Sequence, residues 1–426
     1  MSSSPAGSPA SGQPSAPLTT SASQLQALDK FSPLVENRLR QATLAGKSKR
    51  SAADGDENQA PGEPPARTYR WAGRNLAHSV GPFVRIHTIV EHGVRKGLAD
   101  SDDELLRRRL SPEQRLTESW DLIKKAIPGF AEEMIGLGGN RVLRKQVCAE
   151  IQEGVRGAHG DDSSALKRAV PDYVEPPPTA ISEDATSGAT ATQPRKIQTG
   201  GTKVDRGFAH PVTARLLLPV KHAPTKETFT LICTGQLVVL GTELLYFMFR
   251  DGYVFNPDDL EDGLLEGHTL FAVAKHIHQG PSAALKPAGY TRGKAGNAAL
   301  NGVTFLTGRD VAYLACQLHF ALSSQQSWSG MDGSFNYQVF FWSIVDLLRG
   351  EEGQEIINRF NYAVFGTSVA TKTSATPAVV AASDYDVLAA QHAAKRAHKI
   401  MAAVAAVIPA VTPAVPTAVP AATVPE

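Results

Sequence analysis

Between residues 264 and 366 the apolar positions recur at three- and four-residue intervals, with almost no helix breakers among them. The spacing predicts helices over 264–279, 308–323, 335–348 and 351–364. Gly280-Pro281 closes the first. In the second, Val311, Ala312, Leu314, Ala315, Leu318, Ala321 and Leu322 give an apolar face wide enough to be buried on more than one side. Thr307 precedes it three residues before Asp310, the spacing at which two side chains cap a helix start reciprocally. The aromatic content of the third, with Tyr337, Phe340 and Phe341 ahead of Ile344 and Leu348, marks it as core, and Gly350 is expected to stop it. Ile356, Ile357, Phe360 and Val364 organise the fourth, whose acidic first turn suits the helix dipole.

Upstream the same period runs through 69–97, where Trp71, Leu76, Val80, Ile86, Ile89, Val90 and Val94 recur and Gly81-Pro82 should kink or divide the helix. Ser111-Pro112-Glu113 opens another, with Leu116, Trp120, Ile123 and Ile127 on one face. A helix is expected over 141–157. A separate short one, capped by Asp161 or Asp162, should hold Leu166, Ala169 and Val170 and end near Pro171. Residues 206–220 lack a clean period and read as extended, and 228–232 as a short strand.

The most apolar run, 229–249, is long enough to span a bilayer. Glu243 inside it would cost roughly 2.5 to 3.5 kcal/mol, and Gln236 and two glycines weaken a span further. A buried core helix over 235–250 is expected instead, with Glu243 in need of a partner or an exposed edge.

The ends differ from the middle. Residues 1–65 are poor in large apolar side chains and should be a disordered tail. Residues 66–175 form an N-terminal helical part, 176–203 a flexible linker or loop rich in Pro, Ser, Thr and Gly, and 204–366 a central helical core expected to pack with the N-terminal part. The Ala/Val/Pro-rich stretch 367–426 should be mostly disordered, apart from a helix over 384–407 with His392, Lys395, Arg396, His398 and Lys399 on its wetter side. Pro409, Pro413, Pro416, Pro420 and Pro425 favour an extended, polyproline-like end. The fold class is therefore mainly α: a multi-helix globular body with disordered N- and C-terminal tails and an internal flexible loop.

A series of landmarks runs through this body. They are Asp161-Asp-Ser-Ser-Ala-Leu-Lys167, Arg206-Gly-Phe-Ala-His-Pro211, Leu216-Leu-Leu-Pro219, Pro281-Ser-Ala283, Gly296-Asn-Ala-Ala-Leu-Asn-Gly302, Ala312-Tyr313, His319-Phe-Ala-Leu-Ser-Ser324, and Asp332 ahead of Phe340-Phe341. Their order resembles that of an uncharacterised family of mushroom-forming (basidiomycete) fungi, known as a domain of unknown function. The family tends to end on a Pro after an aromatic-Asn pair, whereas Phe360-Asn361 here leads to Phe365-Gly366. The resemblance implies a fungal, intracellular protein and supplies no reaction, cofactor or catalytic residue.

Charge changes the picture little. The 43 Lys and Arg nearly balance the 42 Asp and Glu, which removes a global argument for a nucleic-acid or membrane-surface partner. Locally, the region from Arg67 to Arg115 is basic and includes Arg107-Arg108-Arg109, a patch able to touch phosphates. Asp100, Asp102, Asp103 and Glu104 stand beside that triplet, so internal pairing is the simpler reading. Lys47-Ser-Lys-Arg50 matches a short nuclear import patch, or merely solvated charge in a tail. The opening residues lack a charged start and an apolar run, so no secretory signal is expected. The three cysteines, Cys148, Cys233 and Cys316, are too few and too scattered for a disulfide framework. An intracellular protein, cytoplasmic or nuclear and not secreted, is expected.

Site chemistry is sparse. His87 and His92 are five apart and His276 and His278 two apart, so neither pair shares a helical face as metal ligands would. No metal or cofactor is expected. Gly136-Leu-Gly-Gly139 and Gly296 to Gly302 lack the Lys-Ser/Thr of a phosphate loop and read as helix ends. No Gly-x-Ser-x-Gly elbow surrounds Ser282, Ser323 or Ser324, and no catalytic residue is assigned. A candidate polar cluster remains in Arg206, His210, Asn297, Arg309 and Asp332, with turn and cap hydrogen bonding as its plainer explanation. The function expected is a non-enzymatic, structural or protein-interaction role with a protein partner and no membrane. A nucleic-acid-associated protein, such as one of mobile-element origin, is the alternative, and an enzyme assembled from distant residues the third.

Overall fold

The computed structural model describes residues 33, 35, 36, 38, 39, 69–96, 110–174, 197, 202–288, 290, 296–366, 384, 388, 390–396, 398 and 399. Most of the predicted tails and loop, with Lys47-Ser-Lys-Arg50 and Arg107-Arg108-Arg109, lie outside these residues. The described residues are mainly helical, with one two-stranded sheet, as the periodicity implies. Two compact units divide the chain. One takes residues 1–105 and 110–161, the other 106–109 and 162–426.

In the first unit α1 (Tyr69–Val80) and α2 (Ile86–Lys96) are separated at Gly81-Pro82. α3 (Pro112–Ala126) starts on a reciprocal cap: Ser111 Oγ accepts the Gln114 N–H while Gln114 Oε1 accepts that of Ser111. α4 (Phe130–Gly136) follows, then α5 (Arg141–Tyr173). The core gathers Tyr69, Leu76, Ile86, Ile89, Trp120, Ile123, Phe130, Val147 and Ile151. Val35, in the stretch read as disordered, is fully buried in it. Its helical neighbourhood was hidden by polar flanks.

α5 replaces the two helices expected over 141–157 and from Asp161, running 33 residues without a break. Gly154, within this helix, is a point of close approach: a Cβ there would stand 2.1 Å from the Arg70 carbonyl oxygen of α1. Gly154→Ala is therefore expected to force the two helices apart and cost about 1–3 kcal/mol, seen as a lower urea midpoint. An unchanged midpoint would mean the helices separate freely.

The second unit is built on α10 (Gly308–Leu322), in which every side chain from Arg309 to Leu322 is buried. Thr307 and Asp310 cap its start as the spacing predicts, Thr307 N–H donating to Asp310 Oδ2 over 2.7 Å. Around it pack α6 (Pro211–Leu217), α8 (His268–Gln279), α11 (Tyr337–Leu347) and α12 (Glu351–Phe365). A hairpin of β1 (Met331–Asp332) and β2 (Phe335–Asn336), with Met331 opposite Asn336, leads into α11. Asn336 caps α11 by accepting from Gln338 and Val339 N–H. Gly350 is not the stop of α11 but the N-cap of α12, and Gly366 closes α12 at φ +72°. α9 (Asn297–Asn301) sits between glycines, with Gly302 ending it at φ +68°.

Three expectations fail here. Residues 206–220 are not extended: a 3₁₀ turn over Gly207–Ala209 leads into α6, whose short length hides its period. The 228–232 strand is instead α7 (Lys226–Cys233), capped by Thr225. The 235–250 helix does not form. Gly235 takes φ +74° and ends α7, and Gly241 lies against the Asn336 carbonyl, where a Cβ would come within 2.4 Å. One 3₁₀ turn, Tyr246–Met248, is helical there. Glu243 has the partner it needs, with Lys221 Nζ at 2.7 Å and the Leu240 N–H at 2.8 Å.

Candidate functional site

Each of the helices that meet beneath the site leaves a backbone carbonyl without a helical donor. Pro171, inside the last turn of α5, has no N–H, so the Lys167 carbonyl four residues earlier loses its helical donor. Arg206 Nη2 supplies it at 2.7 Å. Arg206 Nη1 donates to the Ala321 carbonyl, also at 2.7 Å, beyond which α10 has no N–H to offer. Lys203 Nζ bonds the neighbouring Phe320 carbonyl and lies 3.4 Å from the centre of the Phe320 ring. The 203–206 turn thus ties the end of α5 to the end of α10. Lys203, placed by sequence at the last position of the flexible loop, is fully buried.

Burial, and then the nearby Arg206 guanidinium, lower the Lys203 ammonium to about 7, against the pull of Asp332. Between that value and the ordinary lysine value near 10.5 the unfolded chain holds a proton that the folded chain has released, so this group makes stability rise with pH. Relative to Lys203→Met, the wild-type urea midpoint should therefore climb from pH 7 towards pH 10 and stay level below pH 6. A constant difference across the range would refute it.

Beyond this brace lies a cleft of about 290 Å³. One wall is the segment after α6: Ile232, Gly235, Leu237, Val238 and Val239. The other is the end of α10 and the hairpin: His319, Ser323, Ser324, Asp332 and Phe335. His319 is buried, stacked on Phe335 with centroids 3.8 Å apart, and its Nδ1 is 2.9 Å from the Tyr337 hydroxyl. That leaves Nε2, on a ring lining the cleft, without a hydrogen-bond partner among the described residues. Burial, helped by the Lys203 charge, lowers the imidazole to about 3, so it is neutral at ordinary pH. In the sequence His319 stands only as the first residue of the His319 to Ser324 landmark, with nothing local to mark it as part of a site.

The wall formed by 226–240 is unusual. It belongs to the most apolar run of the chain, yet no residue of α7 is buried, and Leu231, Val238 and Leu240 are 41%, 44% and 45% exposed.

Of the candidate cluster, Asp332 lines the cleft, while Arg206, His210, Asn297 and Arg309 are not among its lining residues. Arg206 braces the two helix ends as described. His210 caps α6, its Nδ1 accepting the Val212 N–H at 3.3 Å. Asn297 Nδ2 donates to the Ile277 carbonyl, and Arg309 lies over the Trp342 ring at 4.9 Å.

A second cavity, about 410 Å³, is charged. Asp259 and Glu261 receive Lys395 Nζ at 3.0 and 2.8 Å, Glu352 pairs with Arg396 at 2.6 Å, and His392 Nε2 is 3.2 Å from Glu261. Hydrogen bonding from His392, then Lys395, holds the Glu261 carboxyl down to about 2. His392 is therefore 1% exposed, not on the wetter side of its helix, because an acidic loop faces it. Gln391 joins in, accepting the Leu260 N–H and donating to the Pro257 carbonyl.

The histidine pairs are separately engaged. His87 faces Glu91, His92 Nε2 meets Thr117 Oγ1 and His276 Nδ1 meets the Tyr173 hydroxyl. Among the described residues no group of three His, Cys, Asp or Glu is placed to hold a metal. No helix among them is long and apolar enough to cross a membrane.

The sequence model of DUF6698, a family of unknown function, matches residues 153–365, half of the chain. The chain belongs to the DUF6698 family. The matched span holds every landmark from Asp161 to Phe341, and in the second unit it covers α10, the hairpin and both walls of the cleft. No curated protein and no solved structure matches the chain.

Proposed function

We propose that this DUF6698 member is a non-enzymatic helical protein that works by binding another protein, and that the 226–240 segment is its contact surface. The observation that carries the reading is that segment's exposure. An apolar run of this length left uncovered on a folded body is the mark of an interaction site. Three free thiols, one of them the exposed Cys233, fit a reducing and so intracellular setting. The ordered landmarks support an origin in mushroom-forming fungi.

The nucleic-acid alternative through residues 67–115 draws less support. Arg70 pairs with Glu150 at 3.0 Å and Arg74 with Asp161 at 2.7 Å, so these cations are already engaged.

The test compares full-length wild type with Val238→Asp as baits for cell extract. Because Val238 is exposed, the variant should melt within a degree or two of wild type. It should lose the proteins that wild type retains. Recovery of the same proteins by both baits, or of none by either, would sink the reading.

A further inference from the structure

The cleft beside the 226–240 segment has a chemistry that narrows the partner. At about 290 Å³ it sits at the lower end of the roughly 300–1,000 Å³ that drug-sized ligands occupy, small enough for one anchoring side chain to fill. Phe208, Leu217, Ile232, Leu237, Val239 and Phe335 make most of its lining apolar.

Among the described lining residues the single charged side chain is Asp332. It is half-buried on β1 and makes no hydrogen bond or ion pair among the described residues. Lys203, whose charge Asp332 favours, is fully buried and bonded to the Phe320 carbonyl. His319 presents a neutral ring and adds no positive charge that would repel a cation.

A separate observation concerns the backbone. Val238 and Val239 lie outside helix and strand, and their N–H groups have no partner among the described residues. An extended peptide can be held by such main-chain groups while alternate side chains reach a pocket.

We infer that the cleft receives a peptide segment of a partner protein in which a compact apolar side chain is flanked by Lys or Arg, the apolar group entering between Val238 and Phe335 and the cation meeting Asp332. This rests on the interaction reading above and specifies its partner. A carboxylate there disfavours acidic segments, because a second anion would face Asp332 with no cation among the described lining residues to separate them.

A random dodecapeptide display library, selected on immobilised full-length chain, tests it. Wild type should enrich peptides with an apolar residue beside Lys or Arg. Replacing that Lys or Arg by Ala in the best synthetic peptide should weaken binding at least tenfold by fluorescence anisotropy. Asp332→Asn should weaken the parent peptide similarly, and Asp332→Lys should shift selection towards acidic peptides. Val238→Asp should abolish capture altogether. If peptides are enriched and need Val238 but tolerate loss of their cation, or bind Asp332→Asn unchanged, the inference falls while the contact surface stands. If no peptide is enriched, or those enriched bind Val238→Asp as well as wild type, both fall.

Discussion

Arg206→Ala is expected to lower the stability of the chain by roughly 2–4 kcal/mol, because the buried Ala321 carbonyl and the partly buried Lys167 carbonyl lose their donor together. Each orphaned group costs about 1–3 kcal/mol, and the vacated space adds to it. Pro171 gives a way to separate this from a generic loss of packing. In Pro171→Ala the new N–H reaches the Lys167 carbonyl by the ordinary helical bond, so that carbonyl no longer depends on Arg206. The double variant should therefore lose less than the sum of the two single changes, by about 1 kcal/mol or more in a urea-unfolding cycle. Strict additivity would mean that Arg206 does not serve the proline-freed carbonyl. Arg206→Lys should rescue little, since one ammonium cannot span two acceptors on separate helices as the guanidinium fork does.

Which parts of the fold were legible follows from how far apart in sequence the deciding contacts lie. Caps such as Thr307 with Asp310 and Ser111 with Gln114 are three residues apart, and a short-range pattern announces them. The pattern divides α5 because Gly157 looks like a stop and Asp161 or Asp162 like a cap, whereas the helix runs through all of them. Gly154, inside the expected 141–157 helix, meets α1 at a close approach that no local spacing announces. At 235–250 the error was of another kind. Apolar content alone does not make a buried helix: Gly235 ends α7, and no apolar residue of α7 is buried.

The site was legible in one residue. Asp332 lines the cleft, but its apolar wall, Val238 and Val239, lies about 90 positions earlier and nothing in local spacing links the two. Arg206, His210 and Asn297 were chosen as polar residues beside apolar helices, and each is engaged with backbone. Bracing still matters for function: Lys203 and Arg206 hold the end of α10, which carries His319 and Ser323 into the cleft. A peptide found by the selection above should bind Arg206→Ala more weakly even where that variant remains folded.

Asn361 is expected to show a comparable loss with a pH signature. Buried on α12, it accepts the Leu306 N–H at 2.7 Å through Oδ1, and its Nδ2 donates to the Leu306 and Ile357 carbonyls at 3.1 and 3.0 Å. Its amide thus closes a backbone bracket that fixes the approach to Thr307 and the start of α10. Asn361→Leu keeps the volume but leaves a buried donor and acceptor unmet, for about 2–5 kcal/mol. Asn361→Asp separates the two halves of the bracket. The introduced carboxylate still accepts from Leu306 N–H but confronts two carbonyl oxygens, and it regains a donor only when protonated. Its proton is therefore held more tightly in the folded chain than in the unfolded one, so the folded state gains stability as pH falls through the carboxylate range. In urea unfolding from pH 7 to pH 4 the gap between Asn361→Asp and wild type should narrow, while that of Asn361→Leu stays fixed. A gap for Asn361→Asp that is small at pH 7, or that widens on acidification, would show that the amide is not what holds Leu306 in place.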